Sequence, residues 1–234
     1  MFDNFKLVDL THSLHSKIPT WEGGCGFEHV ITHDYPDGPI PYRAQQIRMR
    51  AGGGTHMDAP AHFFPQALSI DQIPLESLFV PAVVLDVTQQ AHEKYAISPK
   101  DIQAFEKIYG KIPPQSLVIG YTGWDQFWHS PEKYKNLKPD GRFYFPCFSE
   151  EAAEILLERA CTGLAIDTLS PDGSNYDFPV HKLMLGAGKF LIENIANSKK
   201  MPPIGAYVVA LPLKMENLTE SAIRVVGIIP KPKQ

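Results

Sequence analysis

Runs rich in Val, Ile and Leu and bounded by Gly, Pro or Asp recur at positions 7–10, 45–50, 82–87, 117–121, 163–166, 207–213 and 223–228. Each predicts a strand. Segment 45–50 alternates polar and apolar residues, as a strand with one wet face does. Segments 82–87 and 207–213 are apolar throughout and predict buried strands. Two stretches carry helical signals instead. Ser98-Pro99 places an N-cap and an N1 proline before Ile102, Phe105 and Ile108, with a stop at Gly110. Ser149-Glu150-Glu151 opens a second helix with acidic residues in its first turn, apolar positions at Ala152, Ile155, Leu156 and Ala160, and a stop near Gly163. A third run, 181–195, has a helical start that Gly186 and Gly188 weaken. Strands alternating with a few helices predict an α/β or α+β chain.

Composition narrows this further. The chain has 234 residues, 21 of them Pro and 17 Gly, which favours short strands joined by shaped loops over a helical bundle. No repeat, low-complexity tract or linker divides it, so one domain over 1–234 is expected. With 44% apolar and 21% charged residues it has the usage of a globular protein, which excludes collagen-like, disordered and disulfide-scaffold classes. A formal charge of −4 and scattered Lys and Arg predict neither a nucleic-acid nor a membrane partner. Cys25, Cys147 and Cys161 are an odd set without CxxC spacing, as in a reducing compartment. The start, Met1-Phe2-Asp3-Asn4, carries no signal-peptide pattern, and no apolar run approaches the ~20 residues of a membrane helix. A cytoplasmic protein is expected.

The densest polar cluster is Gly52-Gly53-Gly54-Thr55-His56-Met57-Asp58-Ala59-Pro60-Ala61-His62. His56 and Asp58 are two apart, so an extended backbone projects both from one face. Pro60 holds Ala59 extended as well. Imidazole and carboxylate converging from one short segment suit Zn²⁺ or Mn²⁺. The same residues also allow a Gly-rich turn with a helix-capping Asp and two surface histidines. A second pair, His181 and Glu193, sits in apolar surroundings where a carboxylate needs a partner or a metal. It equally allows a satisfied core ion pair.

These blocks resemble the cyclase-type metal-dependent hydrolases, the family of kynurenine formamidases and isatin hydrolases. The family hallmark HxGTHxDxPxH is matched from Gly52 to His62, and its second block by His181-Lys-Leu-Met-Leu and Glu193-Asn194. Thr122-Gly123-Trp124, the 163–170 segment and Ala210-Leu-Pro-Leu-Lys214 are also similar to family segments. The resemblance implies an α/β fold around a central mixed sheet, and His56, Asp58, His181 and Glu193 as metal ligands. It implies His62 as general acid/base, Zn or Mn at one or two per chain, and a homodimer or homotetramer. Trp21 looks like the family's pocket aromatic; a plain packing role is the other reading. One departure stands out: the first His of the motif is Gly52 here, which offers no ligand. That predicts a weakened or lost metal position beside one built on Asp58, His181 and Glu193. Gln45, Gln46 and Arg50 are nearby candidates for altered chemistry.

The chemistry implied is hydrolysis of an amide C–N bond in a small molecule, an aryl formamide or a cyclic amide, by metal-activated water with His62 moving the proton. A catalytically impaired member that binds a small molecule is the alternative that Gly52 raises. No GxxxxGK[ST] or GxSxG pattern is present. Cys25, within Gly23-Gly24-Cys25-Gly26, is either a nucleophile or a packing thiol.

Overall fold

The computed structural model describes residues 4–36 and 38–231. Met1, Phe2 and Asp3, where the reading of the N-terminal segment begins, lie outside them. The chain runs β1 (Phe5–Asp9), β2 (Phe27–His33), β3 (Ala44–Met49), β4 (His56–Asp58), β5 (Phe79–Asp86) and β6 (Ala96–Ile97) into α1 (Pro99–Tyr109). It continues through β7 (Leu117–Tyr121), α2 (Pro131–Lys135), β8 (Cys147–Phe148), α3 (Glu150–Glu158), β9 (Gly163–Ile166) and α4 (Pro179–Gly186). The last strands are β10 (Phe190–Glu193), β11 (Ala206–Pro212) and β12 (Glu220–Pro230).

The main sheet is mixed, as expected of this fold class, with the order β1-β12-β11-β5-β7-β9-β10-β4. β5, β7, β9 and β10 pair in parallel, and helices in the connections make those crossovers possible. β4 pairs antiparallel with β10 on one side and with the first residues of β12 on the other. The sheet therefore closes into a barrel-like ring through a strand of three residues.

Strand parity sorts the side chains into two cores. Val80, Ala82, Val84, Leu117, Ile119, Ala165, Ile192 and Met57 fill the ring. Val83, Leu85, Val118, Leu164, Ile166 and Leu191 face outward under α1, α3 and α4. Burial on both faces explains why these strands are apolar at every position. A smaller, aromatic cluster of Trp128, Tyr134, Phe143 and Phe145 takes in Ile18 and Leu169, with Trp21 and Trp124 packed against it.

The capping signals are realised. Ser98 and Asp101 form a reciprocal box at the start of α1, and Ser149 Oγ accepts from Ala152 N (3.1 Å) in α3. The 181–195 run has its helical start, in α4, and the helix stops at Gly186 before β10. Two expectations differ. Segment 207–213 is not buried throughout: no helix covers the outer face of β11, so Tyr207 and Leu211 are exposed while Val208 and Ala210 are buried. Segment 45–50 has no buried face, because among the described residues β3 pairs only with β2, in a separate hairpin.

Gly163 of β9 pairs with Phe190 of the parallel strand β10, with no room for a side chain between them. A Cβ there would lie 2.6 Å from the backbone oxygen of Phe190 and 2.8 Å from its ring. Backbone cannot retreat without disturbing the β9–β10 ladder. Gly163→Ala is expected to lower stability by about 1–3 kcal/mol, measured as a shift in the urea midpoint; an unchanged midpoint would show that the ladder yields.

Candidate metal centre

On β4, Met57 points into the ring, so His56 and Asp58 share the outer face. On β10, Ile192 points inward and Glu193 outward. Register sets Glu193 opposite His56 and Glu220 of β12 opposite Asp58. The helix-capping alternative for Asp58 is thereby removed: it lies in a strand, and His56, Asp58, His181 and Glu193 are all buried.

Each imidazole is held by its Nδ1. His56 Nδ1–H donates to the carbonyl of Gly54 (2.9 Å), and His181 Nδ1–H donates to Asp172 Oδ2. Both rings thus turn Nε2 towards the carboxylates. His56 Nε2 lies 3.5 Å from Asp58 Oδ1 and 3.4 Å from Glu193 Oε2. His181 Nε2 lies 3.6 Å from Asp58 Oδ2 and 3.3 Å from Glu193 Oε1. Each carboxylate sends one oxygen towards each histidine.

Asp172 also anchors the helix that carries His181. Its Oδ1 accepts from Val180 N (2.7 Å) and its Oδ2 from His181 N (3.2 Å), which satisfies free donors in the first turn of α4. At the other side, Gly54 is left-handed (φ 71°), and its carbonyl also accepts from Asn194 Nδ2 (2.9 Å). Thr55 Oγ1 donates to the carbonyl of Asn194 (2.6 Å). These bonds tie the entry of β4 to the exit of β10. Neither Asp172 nor Asn194 is marked as a site residue by local spacing, although Asn194 follows Glu193 in the second motif block.

Burial and charge oppose one another here. Burial pushes Glu193 up to about 7, with Asp58 adding to it against the pull of both histidines. Burial resists charging of His56 and His181, but the carboxylates outweigh it and raise both. Burial also resists ionisation of Asp58, and the facing imidazoles overcome it and lower its pKa. Even so, both oxygens of Asp58 are buried and accept no hydrogen bond. An ionised carboxylate in this state depends on positive charge at its face, from the two imidazoles or from a bound cation.

Two groups of donors meet the requirement. Among the described residues, one ligand atom each from Asp58, His181 and Glu193 lie within 4.8 Å of one another, as do atoms from His56, Asp58 and Glu220. Mixed imidazole and carboxylate donors at this spacing fit a divalent transition metal.

The site opens into a cavity of about 430 Å³ whose walls include Trp21, Phe63, Leu169 and Phe178. His62, half-buried beside it, stands T-shaped to Phe63 with ring centroids 5.2 Å apart, and its centroid is 6.1 Å from that of His181. Trp21 both lines the cavity and packs edge-on against Phe143 at 5.0 Å. Arg50 lines the rim and pairs with Glu22 (3.0 Å), whereas Gln45 and Gln46 lie exposed on the β2–β3 hairpin. Cys25 is exposed and is not among the cavity residues. The carboxylate beside Gly52 is Glu220, which no motif spacing singles out.

The sequence model of the Cyclase family, described as "Putative cyclase", matches residues 8–173. An isatin hydrolase from Roseibium aggregatum is 27% identical over 215 residues, covering 87% of this chain and 81% of the relative. A kynurenine formamidase from Salinibacter ruber is 23% identical over 221 residues, covering 94% and 96%. Among solved structures, isatin hydrolase A from Labrenzia aggregata bound to benzyl benzoate superposes with a TM-score of 0.90 at 30% identity, covering 98% of this chain and 95% of that one.

Cation binding at this site must displace protons, since the ligands act as free imidazole and carboxylate. Burial favours the protonated form of Glu193, and the facing carboxylates favour the charged form of both imidazoles. Protons held by these groups oppose the cation, so affinity falls as pH drops and rises as pH climbs. Calorimetric titration with Mn²⁺ in buffers of different ionisation enthalpy is expected to show proton release that shrinks as the pH is raised; pH-independent binding would contradict this arrangement.

Proposed function

The chain belongs to the Cyclase family, and on that premise we propose that it is a metal-dependent amidohydrolase that opens an aryl formamide or a cyclic amide. The observation that carries this is the buried carboxylate of Asp58, with no hydrogen bond to either oxygen, set against His56, His181 and Glu193, which line an aromatic-walled cavity. The relatives named isatin hydrolase and kynurenine formamidase support the substrate class.

His56, Asp58, His181 and Glu193 hold Zn²⁺ or Mn²⁺ in this reading. A cation bound there supplies Lewis acidity, which polarises the amide carbonyl and makes water more acidic. Trp21, Phe63 and Phe178 stack or edge-pack the aryl portion of the substrate and exclude bulk water from the carbonyl. His62 stands at the cavity side of the cluster. Its imidazole takes the proton of the attacking water as oxygen adds to the carbonyl carbon. It returns that proton to the nitrogen as the C–N bond breaks, so an aryl formamide gives an amine and formic acid, and a cyclic amide gives one ring-opened molecule carrying both the amine and the carboxylic acid. A ring that reaches the cavity without being locked into the ligand cluster suits this exchange.

The same reading places the protein in the cytoplasm as a homo-oligomer. Its three cysteines are free, and among the described residues no helix is long and apolar enough to cross a membrane. The β2–β3 hairpin exposes Val30, Ile31, Tyr42 and Ile47, an apolar surface that a second copy of the chain would cover. Sedimentation equilibrium is expected to give a dimer or tetramer; a monomer at micromolar concentration would remove that part of the reading.

His62→Ala is expected to lower kcat on an aryl formamide or isatin-type amide by about 10²–10⁴-fold while metal content stays at the wild-type level. Turnover that survives the change would take the proton-transfer role away from His62.

A further inference from the structure

Gly52 stands where the family motif has a histidine, yet the space beside it is filled. A Cβ built on Gly52 would overlap Glu220 Oε1 and lie 3.3 Å from His56 Nε2. The backbone of Gly52 is not left-handed, so the position does not require glycine for its conformation. What it requires is room, and the group using that room is a carboxylate.

We propose that Glu220 supplies the ligand that Gly52 lacks, so that His56, Asp58 and Glu220 form a second cation position beside the one made by Asp58, His181 and Glu193. The inference rests on the metal-dependent reading above and adds a ligand from a different strand. Three observations carry it. The donor atoms of His56, Asp58 and Glu220 converge within 4.8 Å of one another, and imidazole with carboxylate is a donor set that divalent cations take. Glu220 sits opposite Asp58 in the β12–β4 register, on the outer face that the site occupies. Asp58 directs Oδ1 towards His56 and Oδ2 towards His181, and neither oxygen has a hydrogen-bond donor, which is how a carboxylate shared by two cations would be left in the bare protein.

The exchange of a neutral imidazole for a carboxylate has chemical consequences. Asp58, Glu193 and Glu220 together bring three negative charges to two dications, one more than the site would have with histidine at position 52. Oxygen-rich donors also move preference towards Mn²⁺ relative to a histidine-rich site. The second oxygen of Glu220 faces His62, with Oε2 3.6 Å from Nδ1. Loss of Glu220 therefore reaches the proton-transfer residue as well, and activity alone cannot separate the two effects.

Metal stoichiometry and spin coupling can. Chelator-stripped wild-type protein reloaded with Mn²⁺ is expected to take up two equivalents and to give the spectrum of an exchange-coupled pair by electron paramagnetic resonance. Glu220→Ala is expected to keep one equivalent with an uncoupled six-line spectrum, its second affinity weakened more than about 100-fold, beyond the cost of an outer-shell change. The double variant Gly52→His/Glu220→Ala moves the ligand back to the motif position and is expected to restore the second equivalent and the coupling. This swap keeps the test decisive if the single variant folds poorly. A wild-type protein that takes up one uncoupled equivalent, or a Glu220→Ala variant that keeps a coupled pair, overturns the role of Glu220 and leaves the hydrolase reading standing. A wild-type protein that takes up no Mn²⁺ or Zn²⁺ overturns both.

Discussion

The architecture around the site is governed by one electrostatic demand. Asp58 is a carboxylate on a three-residue strand, fully enclosed between β10 and β12, with no donor on either oxygen. Burying such a group is unfavourable unless positive charge surrounds it. The protein meets that demand with two imidazoles fixed from behind, by a backbone carbonyl in one case and by Asp172 in the other. Beside these imidazoles, Glu193 and Glu220 complete two overlapping groups of candidate cation ligands that share Asp58. The aromatic walls then add a low-dielectric chamber over the same floor, where each charge acts more strongly than it would in water.

Ring closure makes this possible. Parallel strands with helical crossovers ordinarily leave open edges, and antiparallel strands on the other side would leave another. β4 ends both by pairing with β10 and β12 at once. The price is a strand too short to be held by its own ladder, and the Gly54–Thr55–Asn194 bonds brace it at the open end. Support and chemistry thus share residues.

Much of this was legible in the chain. The two-residue spacing of His56 and Asp58 correctly implied an extended segment with both side chains on one face, because a local rule governs it. The parallel strands announced themselves by continuous apolar runs, and the caps of α1 and α3 by Ser98 and Ser149. What stayed hidden depended on register. Glu220 reaches Asp58 only because β12 pairs with β4 across 162 positions of chain, and neither its neighbours nor its spacing mark it. Asp172 was hidden for a similar reason: it supports α4 from a preceding loop. Tyr207 and Leu211 misled because an apolar strand looks the same whether or not a helix covers it. Gly52 is the instructive case. The sequence showed an absence, and the packing shows that another side chain occupies the space.

The strand that closes the ring also fixes when the site exists. Its walls come from chain segments near residues 56, 181–193 and 220, so they meet only after two long-range strand pairings have formed. Contacts of that separation carry a large loop-closure cost, which favours their forming late in folding. An ion seated there stabilises what the folding transition state has not yet built, and so acts chiefly on the unfolding rate. Metal loading would then serve as a latch on the finished barrel, lengthening its lifetime without hastening its assembly.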